Sequence, residues 1–226
     1  MTHLVTDPIS VKICGLSTAE MVHAAIDARA SHIGFMFYER SPRNVTIAQA
    51  TSLRKLLPAT VQAVAVLVDP DDTLLDEVVQ TVRPDMLQLH GSETPERVAA
   101  IKTRADLPIM KVISVADAAD VAAADIYEKV ADLLLFDAKP PKSMANALPG
   151  GNALSFDWSL IADADPRLPW MLSGGLTPDN VAEAISRTGA RMVDVSSGVE
   201  DAPGQKNEAL IRAFVKAAQV EKTTSG

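Results

Sequence analysis

The sequence lacks several features on which large classes of proteins depend. A single cysteine, Cys14, is present among 226 residues, so neither an intramolecular disulfide nor a four-cysteine metal site can form. Basic residues are in the minority, because Lys and Arg total 21 against 29 Asp and Glu, for a formal net charge of −8. This acidic balance argues against nucleic acid and anionic membranes as main partners, since both require a basic surface.

Long apolar segments and interdomain linkers are also missing. No apolar run reaches the roughly 18 residues that suggest a membrane span, and residues 1–10 contain no apolar signal core. No Gly/Ser-rich stretch divides the chain, and an apolar fraction of 47% is ordinary for a globular protein. We therefore expect a soluble, cytoplasmic enzyme or binding protein.

Eight short apolar runs recur along the chain, and helical patterns follow most of them. The runs are nearly continuous in Val, Ile, Leu, Phe and Met, which is typical of parallel strands buried on both faces. The predicted strands are residues 11–15, 32–37, 62–68, 86–90, 108–114, 132–137, 169–174 and 192–198. The predicted helices are residues 18–29, 46–56, 72–82, 94–103, 117–128, 177–188 and 207–220. Thr177 is predicted as an N-cap, with Pro178 at the first helical position.

This alternation predicts an α/β fold, a single-domain (β/α)8 TIM barrel that spans residues 1–226 with a core at about 11–220. A doubly wound open sheet is the alternative, although no GxGxxG motif follows the first strand. Active groups in a barrel lie at the carboxyl ends of the strands or in the loops just beyond them. The candidate site residues at those positions are Cys14, Arg43, Gln88, His90, Asp137, Gly174, Gly175, Asp194, Ser196 and Ser197.

Two of these candidates suit proton transfer. Cys14 ends the first strand, where a partly exposed thiol near a bound anion can accept a proton, although a lone cysteine is more often a small buried apolar residue. Asp137 ends the sixth strand, where a carboxylic acid in a partly desolvated mouth can donate a proton. The alternative for Asp137 is a helix cap or a bond to a backbone turn.

The remaining candidates suit binding. Gly174–Gly175 and Ser196–Ser197 follow the last two strands, the usual phosphate position of barrels, where bare backbone N–H groups approach an anion. Arg43 could hold a carboxylate bidentately or be a solvated loop arginine. Because no further histidine stands at a strand end, His90 is interpreted as a hydrogen-bonding or structural residue and no metal site is predicted.

The segment between Asp137 and Phe156 is long and carries three prolines together with Gly150 and Gly151, so a helix is not expected there. A loop of this length inside a compact domain is usually functional or disordered. Because it follows the sixth strand, we expect a mobile lid on the catalytic face that closes over substrate.

A series of motifs follows one another along the chain. They are KICGL at 12–16, GFMF at 34–37 with SPR at 41–43, LQLHG at 87–91, LLFDAK at 134–139, GGNALSFDW at 150–158, LSGGLTPDNV at 172–181, VDVSSGVE at 193–200 and PG at 203–204. In this order the motifs resemble those of the phosphoribosylanthranilate isomerase family. The resemblance covers roughly residues 11–220, and its collinearity is more specific than any single motif.

The resemblance implies a barrel enzyme of tryptophan biosynthesis that isomerises N-(5-phosphoribosyl)anthranilate by an Amadori rearrangement without a cofactor. It further implies that Cys14 is the general base, that Asp137 is the general acid and that Arg43 contacts the anthranilate end. The Gly174–Gly175 and Ser196–Ser197 turns would hold the phosphate. The implied partner is a small phosphorylated substrate, and a monomer or a homodimer is expected. Ala153 replaces a glycine that is common in the family, which concerns lid closure rather than the chemistry.

Two other classes of protein remain as alternatives. A metal-dependent epimerase of ribulose phosphates is also a phosphate-binding barrel, but it would need several His and Asp ligands at strand ends. A non-catalytic phosphosugar-binding barrel would make Cys14 or Asp137 dispensable. A metal assay distinguishes the epimerase from the isomerase, and a turnover assay distinguishes the non-catalytic barrel from the isomerase.

Overall fold

The structure is a computed structural model that describes residues 8–139, 150–151, 155–162, 164 and 166–219. Eight parallel strands close into one barrel in sequence order, which confirms the predicted (β/α)8 fold. The strands are β1 (Ser10–Cys14), β2 (His32–Phe37), β3 (Gln62–Leu67), β4 (Met86–Leu89), β5 (Ile109–Val115), β6 (Leu133–Ala138), β7 (Trp170–Leu172) and β8 (Met192–Val195). Within the described part of the chain, no helix has the length and apolar character needed to cross a membrane.

Closure of the barrel brings the two ends of the chain together. Strand β1 pairs in parallel with β2 on one side and with β8 on the other. In the second pairing Lys12 stands opposite Asp194, and in the first Cys14 stands opposite Gly34. Residues that are far apart in sequence therefore share one end of the barrel.

The helices alternate with the strands, and most of them begin at a polar capping side chain. They are α1 (Ala19–Asp27), α2 (Ile47–Arg54), α3 (Asp72–Glu77), α4 (Pro95–Ala105), α5 (Ala118–Ala122), α6 (Ser159–Ala162), α7 (Val181–Thr188) and α8 (Glu208–Ala218). The side chains of Thr18, Thr46, Asp71, Thr94, Asp117 and Asn207 accept backbone N–H groups at the starts of their helices. These bonds satisfy donors that have no partner inside a helix.

The structure corrects three of the predicted helices. The predicted N-cap at Thr177 is wrong, because α7 starts at Val181 and the backbone N–H of Thr177 instead donates to the Asn180 side chain at 2.8 Å. The third predicted helix changes to a π turn at Val78–Val82, which ends at Arg83 with φ 55°. The fifth continues beyond Ala122 as a 3₁₀ turn.

The barrel interior divides into an apolar lower part and a polar upper part. Alternate residues of a strand face opposite sides, and the inward set includes a buried cluster of Met110, Val112, Leu133, Leu135 and Met171. The next inward positions toward the carboxyl ends of β6, β7 and β8 carry polar side chains, namely Asp137, Ser173 and Asp194, all buried. The apolar layers thus form the floor of the polar mouth.

A short antiparallel hairpin that was not predicted follows β8. It consists of β9 (Glu200–Ala202) and β10 (Gln205–Lys206). At its turn, Gly204 has φ 82°, and a Cβ atom there would lie 2.6 Å from the carbonyl oxygen of Pro42. Only glycine fits both the left-handed conformation and this close approach, so the hairpin packs directly against the loop that carries Arg43.

Candidate active site

A cavity opens at the carboxyl ends of the strands. All ten candidate residues named from the sequence line it: Cys14, Arg43, Gln88, His90, Asp137, Gly174, Gly175, Asp194, Ser196 and Ser197. Eight different segments of the chain meet there, which agrees with the rule that barrel sites form from the ends of several strands. The roles of these residues stay predictions.

Cys14 is the last residue of β1, and its side chain lies against the bare backbone of β2. A Cβ atom at Gly34 would lie 2.9 Å from the Cys14 Sγ atom, so glycine leaves the space that the thiol occupies. Burial raises the pKa of the Cys14 thiol above its ordinary value; the Lys12 and Lys206 ammonium groups oppose this rise, whereas the Asp194 carboxylate adds to it. The resting side chain is therefore a thiol, and two nearby cations favour its thiolate.

A buried ion pair lies beside Cys14. Lys12 is fully buried, and its Nζ atom donates to Oδ1 of Asp194 at 2.8 Å. Ser173 Oγ donates to the second oxygen, Oδ2, at 3.2 Å. Burial disfavours the charged form of Lys12, yet the Asp194 carboxylate and the Cys14 sulfur outweigh it, so the pKa of Lys12 is raised. Asp194 thereby joins β1, β7 and β8 at the floor of the cavity.

Asp137 lies within reach of His90 on the other side of the cavity. Oδ1 of Asp137 accepts the backbone N–H of Ala138 at 2.9 Å, and Oδ2 lies 3.4 Å from Nε2 of His90. The Gln88 amide nitrogen is 3.2 Å from Nδ1 of His90, so the Gln88 side chain holds the ring on the side away from the carboxylate. His90 is therefore held by Gln88 through one ring nitrogen and faces the Asp137 carboxylate with the other.

Gly150 covers this pair from the segment that follows β6. A Cβ atom there would lie 2.5 Å from His90 Cε1 and 2.7 Å from Asp137 Oδ2. The predicted lid also includes residues 140–149 and 152–154, with Ala153, and these lie outside the described residues. Gly150 and Gly151 line the cavity.

The two Gly/Ser turns lie side by side at the ends of β7 and β8. Gly174 and Gly175 have φ angles of 86° and 66°, which glycine adopts without strain. A Cβ atom at Gly174 would lie 2.8 Å from the backbone nitrogen of Ala138. In the second turn, Ser196 Oγ donates to the carbonyl oxygen of Cys14 at 3.2 Å. The first turn therefore lies against the residue that follows Asp137, and the second turn is hydrogen-bonded to Cys14.

Arg43 is a buried residue, so its interpretation as a solvated loop arginine is wrong. Its Nε and Nη2 atoms both donate to the Glu200 carboxylate at 2.8 Å, and Nη2 also donates to the Gly151 carbonyl at 3.3 Å. The bidentate edge that the sequence analysis reserved for a substrate carboxylate is therefore occupied by Glu200. Of the three guanidinium nitrogens of Arg43, Nη1 is the one without a hydrogen-bond acceptor among the residues that the structure describes.

Charged residues without an assigned role surround the candidate residues. Glu200 and Lys206 support Arg43 and Ser196, and the sequence offered no signal for them beyond their place after β8. Lys12 could have been found, because a lysine inside a strand that is buried on both faces needs a buried partner. In a closed barrel the neighbouring last strand offers Asp194 as that partner.

A second buried ion pair holds the turn that carries His90. Lys111 on β5 donates to the carbonyl oxygen of Gly91 and to the Glu93 carboxylate, each at 2.8 Å, and to the Leu89 carbonyl at 3.3 Å. Glu93 in turn accepts the backbone N–H groups of Gly91 and Asp69. Both residues flanking His90 are thereby fixed from outside the barrel. In the described part of the chain, no three His, Cys, Asp or Glu side chains cluster as metal ligands.

Comparison with known proteins extends over almost the whole chain. The sequence model of the family described as N-(5'phosphoribosyl)anthranilate (PRA) isomerase matches residues 11–217. The N-(5'-phosphoribosyl)anthranilate isomerase of Parvibaculum lavamentivorans is 57% identical over 211 residues, which are 93% of this chain and 98% of the relative. Both findings agree with the motifs that the sequence analysis recognised.

Solved structures give the same result. The phosphoribosyl anthranilate isomerase of Thermotoga maritima is 34% identical, with a TM-score of 0.83 over 93% of this chain and 98% of that chain. A phosphoribosyl anthranilate isomerase in complex with reduced 1-(o-carboxyphenylamino)-1-deoxyribulose 5-phosphate is 33% identical, with a TM-score of 0.79 over the same shares. The chain therefore belongs to the N-(5'-phosphoribosyl)anthranilate isomerase family of tryptophan biosynthesis enzymes.

Proposed function

We propose that this chain converts N-(5'-phosphoribosyl)anthranilate to 1-(2-carboxyphenylamino)-1-deoxyribulose 5-phosphate, with Cys14 as general base and Asp137 as general acid. The observation that carries the assignment is that both side chains line one cavity together with the two Gly/Ser turns. Because β7 and β8 lie between β6 and β1 in the barrel, the turns stand between the acid and the base. A sugar phosphate held by the turns is flanked by both groups.

The chemistry needs one proton donor and one proton acceptor. Asp137 gives its proton to the ribose ring oxygen, the C1'–O bond breaks, and the nitrogen lone pair forms an iminium ion with C1'. Cys14 first loses its thiol proton to solvent; the thiolate then takes the C2' proton, and the C–H electrons move into the iminium to give an enolamine. Tautomerisation of the enolamine yields the ketone. The iminium is the electron sink, so the oxidation at C2' and the reduction at C1' occur within one molecule.

The two ends of the substrate carry negative charge and meet different donors. Backbone N–H groups of Gly174, Gly175 and Ser197 suit the phosphate, because glycine turns let an anion approach the main chain closely. The anthranilate carboxylate meets Arg43 through Nη1, since Glu200 occupies the Nε–Nη2 edge. This arrangement fixes the direction of the substrate across the cavity and its C2' atom relative to Cys14.

His90 and Lys12 suit supporting roles in this mechanism. Nε2 of His90 lies 3.4 Å from Asp137 Oδ2, so the tautomer with its proton on Nε2 stabilises the carboxylate that remains after proton transfer. Lys12 does the same for the Cys14 thiolate, because its ammonium group opposes the rise in the thiol pKa that burial causes. Asp137 thus has His90 as its neighbour, and Cys14 has Lys12.

The decisive experiment is turnover of chemically generated phosphoribosylanthranilate by EDTA-treated protein, followed by the decrease of substrate fluorescence. Cys14→Ala and Asp137→Asn are each expected to lower kcat by about 10²–10⁴-fold, the usual contribution of one proton transfer. Asp76→Asn, which changes an exposed aspartate paired with Arg104, is the matched control and should keep full activity. Full kcat in Cys14→Ala would refute the proposed base.

The alternatives predict different results in the same assay. A metal-dependent epimerase would lose activity after EDTA treatment, and its activity would return with a divalent cation. A non-catalytic phosphosugar-binding barrel would bind a phosphorylated product analogue but leave the fluorescence unchanged. In the mechanism proposed here, EDTA has no effect, and product-analogue binding is nearly unchanged in Cys14→Ala.

A further inference from the structure

Glu200 is a buried carboxylate that neither lines the cavity nor takes part in the proposed chemistry. It begins β9, directly after the second Gly/Ser turn, and its side chain is 3% exposed. Its two oxygens accept Nε and Nη2 of Arg43, Nζ of Lys206 at 2.6 Å and the backbone N–H of Gly204 at 3.2 Å. A carboxylate with four donors and no contact with solvent is fixed in one orientation.

The contact with Arg43 decides which part of the guanidinium is free. A guanidinium offers a side edge, Nε with Nη2, and an end edge, Nη1 with Nη2. Glu200 takes the side edge, and Gly151 takes the remaining Nη2 proton. Nη1 is then the part that a ligand can reach, and the direction of its protons is set by a residue 157 positions away in sequence.

The contact with Lys206 supports the second turn and the region of Cys14. Lys206 is almost completely buried, and besides Glu200 its Nζ donates to the carbonyl oxygen of Ser196 at 2.9 Å and to Ser196 Oγ at 3.2 Å. Ser196 Oγ in turn donates to the carbonyl of Cys14. One chain of hydrogen bonds therefore leads from Glu200 through Lys206 to the turn and to the strand end that carries the thiol.

Burial makes the charge of Lys206 depend on Glu200. Burial lowers the pKa of Lys206 below its ordinary value, and the Glu200 carboxylate is the largest influence that opposes this fall. The charged groups that act on Cys14 are Lys12 from β1, Asp194 from β8, Lys206 from β10 and Arg43 from the loop after β2. Loss of the Lys206 charge would leave Lys12 to balance both burial and Asp194.

We propose that Glu200 is a positioning residue that presents Nη1 of Arg43 to the anthranilate carboxylate and keeps Lys206 charged beneath Ser196 and Cys14. Its role in substrate binding rests on the proposed function, whereas its effect on Cys14 does not. A merely structural carboxylate would change stability alone. The two roles can be tested separately. The role at Arg43 affects binding of the substrate carboxylate, and the role at Lys206 affects the titration of Cys14.

The substrate arm compares phosphoribosylanthranilate with the N-(5'-phosphoribosyl) derivative of aniline, which lacks the carboxylate. Glu200→Gln is expected to raise KM for the first compound about tenfold or more, the usual size of a charge-assisted hydrogen bond. For the aniline compound, followed by chromatography, KM should stay within about twofold of wild type, because the affected group is missing. Equal effects on both compounds would overturn the role at Arg43. Glu183→Gln, an exposed carboxylate on α7, is the matched control and should change neither value.

The protein arm uses the fact that Cys14 is the only cysteine in the sequence, so the ultraviolet absorbance that remains after subtraction of the same titration of a Cys14→Ser counterpart reports this thiolate alone. In Glu200→Gln the midpoint of the Cys14 titration is expected to move to higher pH, because Lys206 loses its charge. If Lys206 kept its charge, removal of the Glu200 anion would move the midpoint to lower pH. A fall or an unchanged midpoint would therefore overturn the role at Lys206.

Further variants keep both arms decisive if Glu200→Gln does not fold. Glu200→Asp keeps the charge but is shorter, so the Cys14 midpoint should stay near wild type while KM for phosphoribosylanthranilate still rises. Lys206→Met should raise the Cys14 midpoint by itself. An unchanged KM in Glu200→Asp, or an unchanged midpoint in Lys206→Met, would overturn the corresponding role. If the wild type fails to turn over phosphoribosylanthranilate, the proposed function fails, and the titration still tests Glu200.

Discussion

The Lys12–Asp194 pair leads to a prediction whose size follows from its burial. Lys12→Met removes an ammonium group that is fully buried and leaves the Asp194 carboxylate with Ser173 as its remaining side-chain partner. Removal of one partner from a buried pair usually costs about 3–5 kcal/mol, because the other charge stays buried without compensation. In a chain of this length that corresponds to a fall in Tm of roughly 6–20 °C.

Two further variants separate charge from packing in this prediction. Lys12→Met/Asp194→Asn buries no charge, so its free energy of unfolding should return to within about 1–2 kcal/mol of wild type. Lys102→Met breaks a pair whose side chains are 38% and 41% exposed, and it should cost about 1 kcal/mol or less. The measurement is urea-induced unfolding of all four proteins at neutral pH.

The titration of Cys14 gives an independent readout on the same proteins. Lys12 is the strongest of the influences that oppose the rise in the thiol pKa, and it outweighs Asp194. The midpoint should therefore rise in Lys12→Met and stay above wild type in the double variant, although stability is restored there. A cost for Lys12→Met as small as that for Lys102→Met, or an unchanged Cys14 midpoint, would refute this account of the pair.

Three further outcomes are expected. Gly175→Asp adds a side chain and a negative charge among the N–H donors of the first turn, so inhibition by inorganic phosphate should weaken by about tenfold or more; unchanged inhibition in the folded variant would argue against a phosphate site. The pH profile of kcat/KM should be bell-shaped, and the limb that belongs to the thiol should be absent from any residual activity of Cys14→Ser. Burial and the Lys12 charge lower the pKa of His32 to about 4, so stability is complete above about pH 6.5 and falls as the pH drops toward 4, by roughly 2–3 kcal/mol. Urea titrations of His32→Gln should lack this loss, and an identical loss would show that another group is responsible.

The fold could be predicted from the sequence because its main signal is local. Strands buried on both faces are nearly continuous apolar runs, and β2 lies at the predicted residues 32–37. An error in a predicted helix boundary occurs where a polar side chain can form either of two local hydrogen bonds. At Thr177 the Asn180 side chain takes the backbone N–H and forms a turn, so a good capping sequence does not begin a helix there.

The candidate site could be predicted only in part. The position rule for barrels identified Cys14, Asp137 and the Gly/Ser turns, because those residues stand at strand ends in the sequence itself. The position rule did not identify Glu200 and Lys206, because they lie in a hairpin beyond the strand ends. The position of this hairpin depends on its contact with the loop after β2. The use of Arg43 by Glu200 is a pairing over 157 residues, and no local pattern contains it.

Closure of the barrel by β1 and β8 constrains folding during synthesis. Lys12 is made 182 residues before the carboxylate that neutralises it. At the usual ribosomal rate of about 5–20 residues per second, the first strand of the barrel waits about 10–40 s for this partner. A lysine buried without its partner carries a large free-energy penalty. The cavity beside Cys14 therefore cannot be completed before β8 is available, because β8 supplies Asp194.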